Sequence, residues 1–259
     1  MSDFRAWNEI WLETRNDAGF RRWVKREKEG VRGRRIFNYV NKYLGDVKGI
    51  KTIEVGAGSG VYSFIFAERG AVVTLADYSQ EALTFASKCF GSSQTKASFL
   101  EMNVLKPFSD LREKFDLAMS FGTIEHYRNS ERLYMAKAHL DFVRPGGIVV
   151  ISVPNRLFFP HEMLKFCLQK GNKWHLSYEG AFMRRELFWL AGRLGLKNVK
   201  VCGSAFINDT IRYFYIFQDT GFLKKFCKIS LRRVFIRDLS SPLDDLLGAD
   251  IFLMGCKKS

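Results

Sequence analysis

The segment Glu54-Val55-Gly56-Ala57-Gly58-Ser59-Gly60 continues a short β-rich run, Thr52 to Val55, and leads into a helical pattern that starts near Tyr62. Glycines between a strand and a helix let the backbone turn tightly and let a ligand approach closer than any Cβ would permit. An acidic residue, Asp77, ends the next β-rich run, where a carboxylate can accept both hydroxyls of a ribose. The spacing is G-x-G-x-G. A dinucleotide site would place its third glycine at position 61, which is Val61.

Outward from this loop, β-rich runs alternate with helical stretches, the pattern of a mostly parallel sheet covered by helices on both faces. Strands are expected at Thr52 to Val55, Val72 to Ala76, Ser98 to Met102, Leu117 to Ser120, Gly147 to Val153, Val199 to Cys202 and Ile251 to Gly255. Helices are expected near Tyr62 to Glu68, Gln80 to Cys89, Ser130 to Phe142 and Arg184 to Leu194. Residues 1–49 read as N-terminal helices, with Trp7 and Trp11, then Phe20, Trp23 and Val24, then Ile36, Tyr39, Val40 and Tyr43 at helical spacing. The charged run Lys25 to Arg35 reads as an exposed turn between them. We expect one domain over 1–259: a core at 50–155, with insertions at 156–175 and 205–246 overhanging the strand ends as a lid or acceptor site.

In this order the motifs resemble the class I methyltransferases that use S-adenosylmethionine (SAM), a Rossmann-like fold with a seven-stranded sheet. The loop matches that family's acidic-x-G-x-G-x-G motif, Asn103-Val104 stands where members carry an acid and a small apolar residue, and Arg144-Pro145-Gly146-Gly147 is similar to its Lys/Arg-Pro-Gly-Gly turn. Gly122-Thr123-Ile124-Glu125-His126-Tyr127 resembles the Leu-Glu-His segment of the small-molecule branch. The resemblance implies that Gly56, Ala57, Gly58 and Gly60 line the SAM site, with Glu54 orienting the loop or the ammonium group. It implies that Asp77 takes the ribose, that Tyr78 packs on the adenosine and that Asn103 and Val104 bind adenine. Ser120 and Phe121 would contact the cofactor below the sulfonium, and the product would be S-adenosylhomocysteine (SAH).

Methyl transfer from a sulfonium is an in-line displacement, so alignment and exclusion of water are the main demands on the protein. A hydroxyl or amine acceptor also needs a base, and His126, which follows the fourth strand, is the candidate, with a purely structural role as its competitor. His161 and His175 in the first insertion rank behind it, and His139 lies inside a helical pattern. No metal-ligand spacing is visible, so metal-independent chemistry is expected. The five cysteines, an odd number with no Cys-x-x-Cys spacing, argue against a disulfide framework.

The formal net charge of +14 attracts polyanions but says little about fold. It leaves three readings: transfer to a small or lipid-like acceptor, with oxygen or nitrogen placed before carbon; an RNA or protein methyltransferase using the basic surface; or a SAM-binding protein without catalysis. Nucleic acid ranks behind the small acceptor because no separate RNA-binding module is visible. No apolar run reaches the roughly 18 residues that span a bilayer, and the expected location is cytoplasmic. Phe222 to Arg237 holds Lys224, Lys225, Lys228, Arg232, Arg233 and Arg237 without an acidic residue, and Leu223, Cys227 and Leu231 recur every fourth position. A helix of that pattern would be either a lid or a peripheral contact with the anionic inner face of a membrane.

Overall fold

In the computed structural model, residues 17–93, 95–106, 109–170, 178–219 and 240–259 are described. Two helices, α1 (Asp17–Glu29) and α2 (Val31–Leu44), precede strand β1 (Lys51–Val55). Then come α3 (Val61–Ala67), β2 (Val72–Asp77), α4 (Gln80–Gly91), β3 (Ser98–Glu101), β4 (Phe115–Phe121), α5 (Asn129–Phe142) and β5 (Val143–Pro154). The later elements are α6 (Phe159–Lys170), α7 (Arg184–Arg193), β6 (Lys197–Gly203), α8 (Phe206–Asp219), α9 (Asp244–Leu247) and β7 (Asp250–Cys256).

The strands form one sheet in the order β3-β2-β1-β4-β5-β7-β6. Its first five strands run parallel, and β7 lies antiparallel between β5 and β6. Strand order reverses between β1 and β4, so the crevice beyond their carboxyl ends is where a doubly wound sheet holds its ligand. Alternation along β5 shows how the core divides. Ile148 and Val150 face a cluster with Phe37, Phe64 and Phe66, while Val149, Ile151 and Val153 face one with Phe142, Leu187 and Leu190. Both sets are fully shielded, as a sheet covered on both faces requires.

All seven expected strands are present, with small shifts at their ends. Strand β5 starts at Val143 rather than Gly147, and the register slips between Phe115 and Leu117. Gly146 takes φ +77° in the slip, and a Cβ on Gly147 would meet the Asp116 carbonyl oxygen at 2.7 Å. Glycines therefore let this irregular start of an interior strand stay in the sheet.

The reading of Lys25 to Arg35 as an exposed turn is corrected. Only Gly30 separates α1 from α2, and Glu27 is buried. The Glu27 carboxylate accepts from Arg32 (Nη2, 3.0 Å) and from the Tyr62 hydroxyl (2.8 Å), and Arg32 also reaches Asp250 at 2.8 Å. Glu27 lies seven residues after buried Phe20 and three after buried Val24, the helical spacing of a residue facing inward.

Among the described residues, no helix is long and apolar enough to cross a membrane. The expected helix at Trp7 and Trp11, His175, Cys227 and the basic segment 222–237 all lie outside them.

Candidate functional site

The three glycines of the loop have positive φ: 61° at Gly56, 53° at Gly58 and 68° at Gly60. Two of them also have crowded neighbours. A Cβ on Gly56 would come within 2.5 Å of the Thr123 side chain, and one on Gly60 within 2.2 Å of Leu75. The loop is pinned to β2, since Gly56 N–H donates to the Ala76 carbonyl at 2.8 Å. Asp77, at the end of that strand, accepts from Gly58 N–H (2.8 Å) and Ser79 N–H (2.9 Å), one bond per carboxylate oxygen. The Tyr78 N–H is a third backbone donor to the same carboxylate, which leaves it acceptor capacity for one further hydroxyl.

Glu54 is buried under the loop, where its Oε2 accepts from Ser63 N–H at the start of α3 (2.8 Å). Burial pushes its carboxyl up to about 7, against the lowering effect of the Ser63 bond. Burial also raises Asp77, although backbone donors from Ser79, Gly58 and Tyr78 oppose it. Two weakly acidic carboxyls thus lie beside the glycines.

The remaining positions expected to contact a cofactor form the rim of the same edge. Tyr78 is half-buried directly after Asp77. Asn103 is half-buried beyond β3, its Oδ1 accepting from Leu105 N–H at 3.0 Å, while the Val104 side chain is buried in the core and Ala57 is buried in the loop. Ser120 is fully buried, and its Oγ has no hydrogen-bond partner among the described residues. Next to it, the Phe121 ring stacks on Tyr62 with centroids 3.7 Å apart, and the Arg32 guanidinium lies 5.6 to 5.9 Å from both rings.

His126 closes the far side. Its Nδ1 donates to the Tyr178 carbonyl (2.9 Å), and burial lowers its basicity. Adjacent Glu125 is buried, with its acidity strongly reduced by burial and no partner for Oε2 among the described residues. Arg132 clamps the same corner, donating to the carbonyls of Tyr127 (2.8 Å) and Gly180 (2.7 Å). His139 is fully buried and donates through Nδ1 to the Met135 carbonyl within its own helix, an arrangement that holds the helix rather than a ligand.

Tertiary packing brings together a further group that includes His161, the candidate placed behind His126. His161 of α6 lies between Glu179, at 2.6 Å from Nε2, and the Tyr213 hydroxyl of α8, at 2.8 Å from Nδ1. Lys165 donates to the Glu179 carbonyl. Both helices follow strands that end at the glycine-loop edge, β5 and β6, so the two insertions meet over the site. No spacing in the sequence links positions 161, 179 and 213.

Comparison with known proteins bears on the fold. Residues 53–147 match the model of a family described as a methyltransferase domain. A ubiquinone biosynthesis O-methyltransferase of Leptothrix cholodnii is 28% identical over 120 residues, 46% of this chain and 50% of that protein. One from Stutzerimonas stutzeri is 29% identical over 140 residues, 52% of this chain and 59% of that protein. The chain thus spans about half the length of the curated relatives it matches. Among solved structures, Synechocystis magnesium protoporphyrin IX methyltransferase with bound SAH superposes with a TM-score of 0.56 at 13% identity, covering 86% of this chain and 81% of that one. Phosphoethanolamine N-methyltransferase 2 of Haemonchus contortus, in complex with SAM, gives 0.61 at 15% identity, covering 98% and 60%. At such identities the likeness is one of fold.

Proposed function

We propose that this chain, whose residues 53–147 match the model of a methyltransferase domain, binds SAM as a class I methyltransferase and transfers its methyl group to a hydroxyl of a small or lipid-like acceptor. The observation that carries the reading is the left-handed glycine loop tied through Gly58 N–H to Asp77. The residues fit the cofactor: Asp77, with three backbone donors on its carboxylate, retains acceptor capacity for a ribose hydroxyl, and the buried Ser120 Oγ lacks a partner among the described residues. The relatives named as O-methyltransferases support oxygen as the acceptor atom.

When bound, SAM supplies an electrophilic methyl group on a sulfonium. Gly56, Gly58 and Gly60 give the backbone the turn that admits it, Asp77 orients the ribose, and Asn103 and Val104 stand at the position for adenine. Phe121, held flat by Tyr62, walls the strand end and keeps water from it.

Calorimetry with SAM or SAH should give micromolar affinity, about 8 kcal/mol. No heat and no thermal shift with either ligand would remove the reading. The affinity should also depend on pH. Glu54 is protonated below about 7 and ionised above it, and a cationic ligand favours the ionised form. Binding should therefore tighten by about tenfold as pH rises through that range. Glu54→Gln should flatten the curve, and a wild-type affinity independent of pH would show that this carboxyl does not sense the ligand.

A peripheral membrane contact belongs to the same proposal. The basic, acid-free stretch 222–237 and the exposed rings of Phe159 and Phe166 on α6 support delivery of an apolar acceptor from an anionic surface. Each Lys or Arg near such a surface contributes about 1 kcal/mol. Sedimentation should show binding to phosphatidylserine-containing vesicles and not to phosphatidylcholine vesicles. Replacing Lys224, Lys225, Lys228, Arg232 and Arg233 with glutamine should reduce it at least about 100-fold. Binding that survives the replacements would rule this contact out.

A further inference from the structure

We infer that the proton of the acceptor hydroxyl leaves through Tyr213 to His161, with Glu179 positioning the imidazole, and that His126 is a positioning residue. The inference rests on the methyl-transfer reading above and specifies its acceptor side.

The bonds around His161 fix its tautomer. Its Nε2 faces the Glu179 carboxylate at 2.6 Å, so that nitrogen carries the hydrogen. Nδ1 then holds the lone pair, directed at the Tyr213 hydroxyl 2.8 Å away. A carboxylate behind one imidazole nitrogen and a hydroxyl before the other is the arrangement that fixes a tautomer and stabilises the imidazolium once a proton arrives. The side chains are only 15% exposed at His161 and 7% at Glu179, so the pair interacts in a largely dry setting. Glu179 stays ionised: burial opposes that, but His161 and Lys165 outweigh it and lower its pKa.

Placement connects this group to the chemistry. Tyr178 and Gly180 flank Glu179, and both are fastened to the segment after β4: the Tyr178 carbonyl by His126, and Gly180 N–H to the Glu125 carbonyl at 3.0 Å. The His126 side chain is 9% exposed and spends its Nδ1–H on that clasp. His126 therefore sets where Glu179 stands. The charges that act on Tyr213 are Arg212, Asp250, Asp209 and Glu179, and Lys165, Arg132 and Glu125 border the same corner.

The step balances as follows. The acceptor oxygen forms its bond to the methyl carbon as the carbon–sulfur bond breaks and its electron pair goes to sulfur. The acceptor proton passes to the Tyr213 oxygen while the Tyr213 proton moves to His161 Nδ1. The products are the methyl ether, the thioether SAH and an imidazolium paired with Glu179, which then returns its proton to solvent.

The test uses the full chain, with catechol as an acceptor that is un-ionised at neutral pH and 4-nitrocatechol as one that is already ionised. His161→Ala and Tyr213→Phe should each lose at least about 100-fold in kcat with catechol, within the 10²–10⁴ range of acid–base catalysis, and less than about threefold with 4-nitrocatechol. Glu179→Gln should fall between them. His126→Ala, which removes the clasp on the Tyr178 carbonyl, should shift the ratio between the two phenols in the same direction as Glu179→Gln, with His126→Gln, whose amide can still donate to that carbonyl, restoring it. SAH affinity, measured by calorimetry, should not change in His161→Ala or Tyr213→Phe. As a readout without turnover, long-range ¹H–¹⁵N spectra should show His161 with its hydrogen on Nε2 and an Nδ1 signal that moves in Tyr213→Phe. Equal losses with both phenols, or a hydrogen on Nδ1, would overturn the assignment while methyl transfer stands. Wild-type chain that binds no SAH or methylates neither phenol would overturn the hydroxyl-transfer reading and this assignment with it.

Discussion

Replacing Arg32 with methionine is expected to destabilise the fold by about 3 to 5 kcal/mol, because it leaves the buried Glu27 carboxylate without its main counter-charge. Arg32 is the hub of four elements: it meets Glu27 of α1, Tyr62 of α3, Ser152 of β5 and Asp250 of β7. Burial alone would raise the Glu27 pKa, yet Arg32, Arg26 and Tyr62 together hold it at about 2. A pKa depressed in the folded state gives stability that is present above the ordinary value of 4.5 and is lost as pH falls through 2. Urea unfolding of the variant at neutral pH checks the size of the loss. The double variant Arg32→Met with Glu27→Gln should recover part of it, since no buried charge is then left unpaired. A loss below about 1 kcal/mol in the single variant would mean the pair is solvated and the network is not what joins α1 to the sheet.

Asp77→Ala is expected to weaken SAM and SAH by about 100-fold or more, roughly 3 kcal/mol. The variant removes the acceptor proposed for the ribose and also orphans two backbone donors, Gly58 N–H and Ser79 N–H. Losing the Gly58 bond frees the centre of the glycine loop, so the effect should exceed that of a single ribose contact. Calorimetry reads the affinity, and the thermal midpoint of the unliganded variant shows whether the fold persists. An unchanged affinity would mean that the carboxylate at the end of β2 serves the loop alone.

How much of this the sequence revealed depended on whether each residue's partners lay nearby in the chain. The sheet was legible because alternation, glycine turns and caps are local: β1, the loop and α3 occupy one continuous stretch, and Ser79 caps α4 within a single turn. Asp77 and Glu54 were legible for the same reason, being fixed in position by a strand end and a loop. Glu27 and Arg32 were misjudged because a charge run looks solvated unless its distant partner is known, and Asp250 lies at the opposite end of the chain. His161 could be named as a candidate but not ranked, since Glu179 and Tyr213 reach it through tertiary packing of two insertions. The net charge of +14 identified no partner.

The position of β7 also sets an order of assembly. Among the described residues strand β6 pairs only with β7, and β5 completes its outer ladder with the same strand. Arg32 and Arg35 near the start of the chain wait for Asp250 and Asp245. During synthesis the glycine loop and its first five strands can therefore emerge from the ribosome and collapse while one sheet edge remains open. Closure must wait until residue 256 is out, which makes the last step a long-range and slow one. In that interval the exposed ladder of β5 is the surface a chaperone would have to shield.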